Sequence, residues 1–514
     1  MLDAVDGPPS LTAGPVETAV DVLVVGSGFA GLCMAIRLQQ AGIGNFLILE
    51  KGSEIGGTWR DNRYPGCACD IPSHLYSLSF EPSTDWTRLY ASQPEILAYL
   101  KRVADKHGLR RRIQLNTTLR DAAWDESALL WRVTTAAGER LACRVLVSGM
   151  GALHHPAIPS IPGLDRFEGR SFHSAAWDEG YDLRGKRVAV IGTGASAIQF
   201  VPEIARQVER LHVFQRTPPW MLPKLDRPIA ERERRLMRRL PPWRRLVRRR
   251  LFVEHEMRAL GFAVDPRLMA KVEGFARGHL ARQVADAGLR ARLTPDYTIG
   301  CKRVLISNDY HPALQRPSVE LVTDPIREVR GGAVVTADGA ARPVDAIILG
   351  TGFRTTEALS RVAVTGRGGA ALADVWRRGG MRAYYGVSVA GFPNFFMLLG
   401  PNTGLGHNAV VIMIEAQVRY VLSCLRLMRR RGARAMEVRP EVEALFSTRL
   451  DRRMDRTVWQ AGGCRSWYQD AENGGRNTTL WPGFTVEYAW RTRRVNPTDY
   501  VLTAALPPSA HVNA

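Results

Sequence analysis

Two glycine-rich turns carry the first readable chemistry. Gly26-Ser27-Gly28-Phe29-Ala30-Gly31 follows the apolar run Val22 to Val25, and Gly192-Thr193-Gly194-Ala195-Ser196-Ala197 follows Val188 to Ile191. A strand entering such a turn, with a helix leaving it, presents unpaired backbone N–H groups and the positive end of a helix to a pyrophosphate. The first glycine (Gly26, Gly192) permits the tight turn and the second (Gly28, Gly194) lets backbone approach the phosphates. The third position (Gly31, Ala197) packs helix on strand. One such match is common; two, each between a strand and a helix, carry more weight. The residue 24 positions after the first glycine then differs: Glu50 in one copy, Arg216 in the other. A carboxylate there accepts hydrogen bonds from ribose hydroxyls and repels a 2′-phosphate, whereas a guanidinium attracts that phosphate. The two endings point to FAD at the first turn and NADPH at the second, where Thr217 stands beside Arg216.

The elements that must position these residues are two strand–turn–helix–strand units, Asp21 to Glu50 and Val188 to Phe214, so the fold class is α/β with two Rossmann-like dinucleotide-binding domains. Val145 to Gly151 and Asp345 to Phe353 are further strands running into glycine turns and read as crossings between the two units. Asn394 to Asn402 is a strand and turn followed by Gly404, Gly406 and a long helix, which again sets N–H groups at a helix start. The apolar stretch Ala409 to Leu425 carries Glu415 and Arg419 and reads as a buried helix rather than a membrane span.

A chain of 514 residues exceeds one ordinary domain. With 45% apolar and 23% charged residues it has the composition of a globular enzyme. Met1 to Thr18 lacks the basic start and apolar core of a secretory signal and reads as a flexible lead-in to a cytoplasmic protein. The seven cysteines are odd in number, and Cys67 and Cys69 form C-x-C, not the C-x-x-C of redox catalysis or of zinc sites. Free thiols in a reducing compartment and no metal site are the expectation. The formal charge of +20 is scattered except in Glu231 to Phe252, where ten arginines surround Leu236, Leu240, Trp243, Val247 and Leu251. That spacing gives amphipathic helices, split by Pro241 and Pro242. Solvated helical faces are the first reading and a weak peripheral membrane contact the second. Sparse aromatic interleaving disfavours nucleic acid.

Three further segments resemble one family. Phe167-Glu168-Gly169-Arg170-Ser171-Phe172-His173-Ser174-Ala175-Ala176-Trp177-Asp178 is similar to F-x-G-x-x-x-H-x-x-x-W-[PD], the fingerprint of the Baeyer–Villiger monooxygenases. Gly56-Gly57-Thr58-Trp59 through Tyr64-Pro65-Gly66 to Asp70 resembles that family's segment after the FAD ribose acid. Gly300-Cys301-Lys302-Arg303 is the third match. The resemblance implies an FAD-binding domain over residues 1–150 and 385–514, an NADPH-binding domain over 151–222 and 300–384, and a helical insertion over 223–299. It implies a reaction in which NADPH reduces FAD, O2 is trapped as a peroxide on the flavin C4a carbon, and a small ketone becomes an ester or lactone. An anionic peroxide needs a fixed cation that is a poor proton donor, which suits arginine. By resemblance the cation is Arg303, held by Asp70, and Lys302 adds a contact to the 2′-phosphate. Thr58, Trp59 and Tyr76 fall to the FAD side and Tyr64 is undecided. Trp467, in a segment similar to the family's mobile S-W-Y loop, falls to the NADP side. Phe167, Gly169, His173, Trp177 and Asp178 are read as linker residues, since the peroxide is itself the nucleophile and needs no general base. Three rivals stand beside this. A heteroatom-oxygenating (N or S) flavin monooxygenase shares much of the fingerprint but lacks its Trp-Asp ending. A disulfide reductase needs a dithiol at the flavin, and no such spacing is present. A flavin-binding regulatory protein would have no need of both Asp70 and Arg303.

Overall fold

A computed structural model describes residues 18–355, 362–470 and 473–504. The expected lead-in Met1 to Thr18 therefore lies outside the described residues, save that Thr18 opens the first strand. That strand, Thr18–Val25, is an almost continuous apolar run, as a strand covered on both faces of a parallel sheet must be. It pairs in parallel with Phe46–Leu49 on one side and Arg140–Ser148 on the other. Around these three an eight-stranded sheet is built. Phe395–Met397 joins it against Arg140–Ser148, and Leu119–Asp125 and Leu130–Thr135 extend it as antiparallel partners.

The second sheet has five strands, all parallel, in the order Val319–Val322, Arg210–Phe214, Arg187–Ile191, Ala346–Leu349, Arg170–His173. Both glycine turns thus leave a strand with parallel neighbours on each side and enter helices, Phe29–Gln40 and Ala197–Ile204. One strand departs from the sequence expectation. Ala363–Thr365 falls within the 300–384 stretch assigned to the second unit, yet it pairs with Asp121, Ala122 and Ala123 of the first sheet.

Between the sheets' segments the stretch 223–299 forms helices Glu231–Arg239, Pro241–Glu256, Met269–Gln283 and Ala287–Arg292. A two-residue ladder, Met221–Leu222 with Leu305–Ile306, closes its base. Pro241 and Pro242 occupy the first turn of the second helix, where a missing N–H has no helical partner to lose. Leu236, Leu240 and Trp243 are exposed. Arg248 turns inward and donates to the carbonyls of His74 and Ser77 and to Ser77 Oγ, tying the insertion to the first unit. The buried helix expected at 409–425 spans Val410–Arg431 and ends on Gly432 in the left-handed region at φ 62°. Among the described residues no helix is long and apolar enough to cross a membrane.

The expectation of seven free thiols fails at one pair. Cys33, Cys67, Cys69, Cys143 and Cys424 are free and buried, but Cys301 and Cys464 form a disulfide across 163 positions. Spacing along the chain reveals pairs held in one local motif, and this pair is made only by the tertiary fold.

Candidate active site

The two glycine turns repeat each other in space. Gly26 has φ +98° and Gly192 φ +106°, conformations that exclude ordinary side chains. A methyl on Gly26 would fall 2.7 Å from the Gly149 carbonyl oxygen, and one on Gly192 would fall 2.5 Å from that of Gly350. The two strand-ending glycines expected to be crossings, Gly149 and Gly350, therefore press on the first glycine of each turn. A methyl on Gly31 would sit 1.8 Å from the Gly26 carbonyl oxygen, which enforces glycine there; the second copy takes Ala197. Gly28 and Gly194 differ from these. A methyl on Gly28 meets nothing nearer than the Gly57 Cα at 3.8 Å, and one on Gly194 nothing nearer than 4.0 Å. Protein packing does not demand glycine at either place, so each leaves bare backbone and open room at a helix start. That is the cradle a dinucleotide pyrophosphate requires.

Beyond the first turn, Glu50 is 3% exposed. Its carboxylate accepts from Ser27 N at 2.9 Å, Ser27 Oγ at 2.7 Å, Gly52 N at 2.8 Å and Arg60 Nη1 at 2.6 Å. Burial alone would raise this carboxyl; the Arg60 guanidinium and the two N–H groups outweigh it and hold it below its ordinary value. Beyond the second turn, Arg216 is exposed and has no ion-pair partner among the described residues. Lys302 lies close to it: burial first, and then the Arg216 charge, lowers the Lys302 ammonium below its usual value. Two neighbouring cations fit a phosphate carrying two negative charges. Thr193 Oγ1 reaches the Thr217 carbonyl at 3.4 Å, and Ser196 starts the helix Ala197–Ile204.

Arg303 and Asp70 come together across 233 positions. Arg303 Nε and Nη2 both donate to Asp70 Oδ2, at 2.9 and 2.5 Å. The Asp70 charge raises the guanidinium further above its ordinary value, against the effect of burial, and the Tyr468 phenol beside it is pushed up to about 12, by burial first. Arg303 is therefore a cation at any working pH. The pair forms one wall of a cavity of about 310 Å³. Its other walls are mainly apolar and include Leu260, Phe262, Met269, Val304 and Ile306, with Arg258, His407 and Asn408 as the polar members.

Phe29, Trp59 and Tyr76 cluster beside the first turn: the Phe29 and Tyr76 rings meet edge to face at 5.2 Å, and Trp59 Nε1 donates to Tyr76 Oη at 3.2 Å. Thr58 begins the short helix Thr58–Asp61. Tyr64 serves packing instead, donating to Gln199 Oε1 at 3.1 Å and so joining the first unit to the second turn's helix. His173 ends the strand Arg170–His173, is 4% exposed, and accepts the Ala175 N–H at 3.1 Å through Nδ1. Burial lowers it, so it stays neutral. Trp177 packs on Phe172 and Phe200, Asp178 accepts from Arg170 Nε at 2.6 Å, and Phe167 lies over Gly169, where any methyl would strike both that ring and the Asp345 carbonyl. The fingerprint is a packed corner away from the cavity lining. Trp467 is 39% exposed, and its carbonyl accepts from Thr355 Oγ1 at 3.1 Å.

Sequence reasoning missed the polar cavity residues Arg258, His407 and Asn408. Glu256 lies behind two of them: its carboxylate accepts from Asn408 Nδ2 and Val486 N at 2.8 Å each and stands 3.9 Å from His407 Nε2. The structure marks the place by a π-helical turn, Leu260–Val264, that starts two residues after Arg258, and such turns gather at functional sites.

The profile of the pyridine nucleotide-disulphide oxidoreductase family matches residues 23–231. A Baeyer-Villiger monooxygenase of Pseudomonas aeruginosa is 51% identical over 482 residues, covering 94% of this chain and 91% of that one. Another, of Streptomyces coelicolor, is 47% identical over 500 residues, with 97% and 96% covered. Among solved structures, that of OTEMO in complex with FAD and NADP superposes with a TM-score of 0.85 at 30% identity, over 95% of this chain and 100% of that one. Identity at this level over nearly the whole of both chains, on a fold that brings Arg303 to Asp70, places the protein in a family: it belongs to the Baeyer–Villiger monooxygenases.

Proposed function

We propose that this enzyme uses NADPH and O2 to convert a small ketone to an ester or lactone in the cavity walled by Arg303 and Asp70. The observation that carries the reading is that ion pair on the edge of a mainly apolar space. The overall change is balanced as ketone, O2, NADPH and a proton giving ester, NADP+ and water. FAD, held at Gly28 and Glu50 and reduced by NADPH, supplies the activation of O2. The residues do the rest. Arg303 stabilises negative charge as it develops beside the carbonyl without giving up a proton. Asp70, gripping two of its nitrogens, fixes the direction in which the remaining N–H groups point. The apolar wall from the insertion excludes water, which strengthens the electrostatics at the cation. Arg216 and Lys302 hold the 2′-phosphate, Thr193, Ser196 and Thr217 line its turn, and Trp467 covers the nicotinamide side.

The same reading makes His173, Trp177 and Asp178 positioning residues for the joint between the two nucleotide units. It divides the chain into an FAD-binding part (1–150 and 363–514), an NADPH-binding part (151–222 and 300–355) and the insertion, and it puts the reaction in the cytoplasm. The pairing of Ala363–Thr365 with Leu119–Asp125 supports moving that boundary. A ketone panel, scored for NADPH consumption and for ester or lactone by mass spectrometry, tests the proposal. Ester formed with matched NADPH use supports it; oxygenation of a thioether with no ketone turned over overturns it.

A further inference from the structure

The disulfide found in place of two free thiols lies at the site itself. Cys301 stands two residues before Arg303, and Cys464 three residues before Trp467. The loop that carries Cys464 touches the body at three places. Gly462 O accepts from Thr298 N at 3.0 Å, at the start of the catalytic segment. Trp467 O accepts from Thr355 Oγ1 at 3.1 Å, just beyond the Gly350–Gly352 turn that presses on the second nucleotide motif. Between these two hydrogen bonds the tie is covalent, with Cys464 N also donating to Cys301 Sγ at 3.2 Å. Gly463, Arg465 and Trp467 are exposed, so between the buried Gly462 and Tyr468 the loop has little burial of its own once the sulfur bond opens. Cys301 is fully buried and Cys464 half-buried, which makes Cys464 the more accessible half of the bond.

We propose that Cys301 and Cys464 form a reversible thiol–disulfide site, reduced by small or protein dithiols, that fastens the Trp467 loop to the Arg303 segment and sets how tightly the enzyme holds NADP(H). The chemistry is ordinary exchange. A thiolate of the dithiol attacks Cys464 Sγ, the bond to Cys301 Sγ breaks, and Cys301 leaves as thiolate and takes a proton. The second thiol of the reductant then displaces Cys464. Two electrons and two protons pass to the protein, which ends with two thiols, and the reductant ends as a disulfide. The direction of the effect follows from what the tie joins. Opening it frees the loop that spans the second nucleotide turn and the catalytic cation, while the ketone cavity keeps its insertion wall. The buried free thiols offer no competing site, since desolvation raises Cys33, Cys69, Cys143 and Cys424 well above a reactive range and Cys67 to about 11.

The effect on NADP(H) rests on the function proposed above, and the experiment separates the two. Full-length flavin-loaded enzyme is denatured and alkylated without reductant, and its labelled cysteines are counted by mass spectrometry. Five labelled cysteines, rising to seven after dithiothreitol, are expected from a chain with seven. Reduced enzyme and the Cys464→Ser variant should share a KM for NADPH raised about fivefold or more, the lower end of coupling between sites. Both should use more NADPH per ester formed, with the ketone KM little changed. Limited trypsin should cut after Arg465 faster in both. Seven labelled thiols that no mild oxidant converts to five would overturn the proposal. So would identical NADPH kinetics and trypsin rates in oxidised and reduced enzyme. Should Cys464→Ser not fold, the oxidised and reduced wild type carry the comparison. Absence of ketone oxidation in either state would sink the function instead, while the thiol count and trypsin rate still judge the tie.

Discussion

At Arg303 two demands meet that lysine would not satisfy together: a charge that persists at all working pH and a planar donor set that a carboxylate can grip at two points. Asp70 takes Nε and Nη2 on one oxygen while Arg303 lines the cavity. Arg303→Ala should still bind flavin and oxidise NADPH, with ester formation down about a hundredfold or more, the usual cost of removing a charge-stabilising donor. Arg303→Lys should recover only part, because an ammonium cannot hold the two-point contact. Ester yield equal to wild type in Arg303→Ala would remove this residue from the chemistry. At the second nucleotide site the corresponding test is Arg216→Ala. It should raise the KM for NADPH about tenfold while leaving that for NADH unchanged, since only NADPH carries the phosphate whose charged hydrogen bond is lost. Equal effects on both nucleotides would show that Arg216 acts on something else.

At the scale of the element, the glycine turns separate what the fold needs from what the cofactor needs. Gly28→Ala meets no protein atom nearer than 3.8 Å, so the variant should fold with a near-normal melting temperature and lose bound flavin. Gly26→Ala combines a positive φ with a 2.7 Å approach to Gly149 and should fail to fold. Comparing flavin content with thermal unfolding for the two checks this; full flavin in Gly28→Ala would mean the open room there is not the pyrophosphate site. These turns were legible in the sequence because their constraints are local: strand, glycine spacing and the residue 24 positions on lie in one short stretch. The Asp70–Arg303 pair, 233 positions apart, was reached only through resemblance. The disulfide was missed because tertiary pairing leaves no periodic trace. The apolar cavity wall was missed because Leu260, Phe262 and Met269 look like the inner face of any helix. The strand Ala363–Thr365 was misplaced because three residues carry no alternation that says which sheet they join.

For the whole molecule, pH acts through histidines that the fold keeps neutral. His255 and His311 are lowered to about 4 and His407 to about 3, each by burial first. A neighbouring charge adds to it: Arg258 for His255 and His407, His279 for His311. In the unfolded chain these groups titrate near 6.5. Between that value and the folded one the unfolded state binds more protons, so the stability they contribute is complete above about pH 6.5 and falls as pH drops toward about 4. These three groups give a slope on the order of 4 kcal/mol per pH unit, an upper figure for the three because each is only partly charged near the ends of the window, and His154, also lowered to about 4 by burial first, adds to it. His255 and His407 both adjoin Arg258, and Arg258 and His407 line the cavity, so protonation strikes the cavity wall as well as the core. Urea unfolding of the flavin-loaded enzyme should therefore show a midpoint that is flat from pH 8 to 7 and declines steeply from pH 6.5 to 5. His311→Gln should decline less steeply, since Gln retains a hydrogen-bonding group for Gln283 and cannot take the proton. An unfolding midpoint that does not change between pH 7 and pH 5 would mean that these three rings reach solvent in the native state.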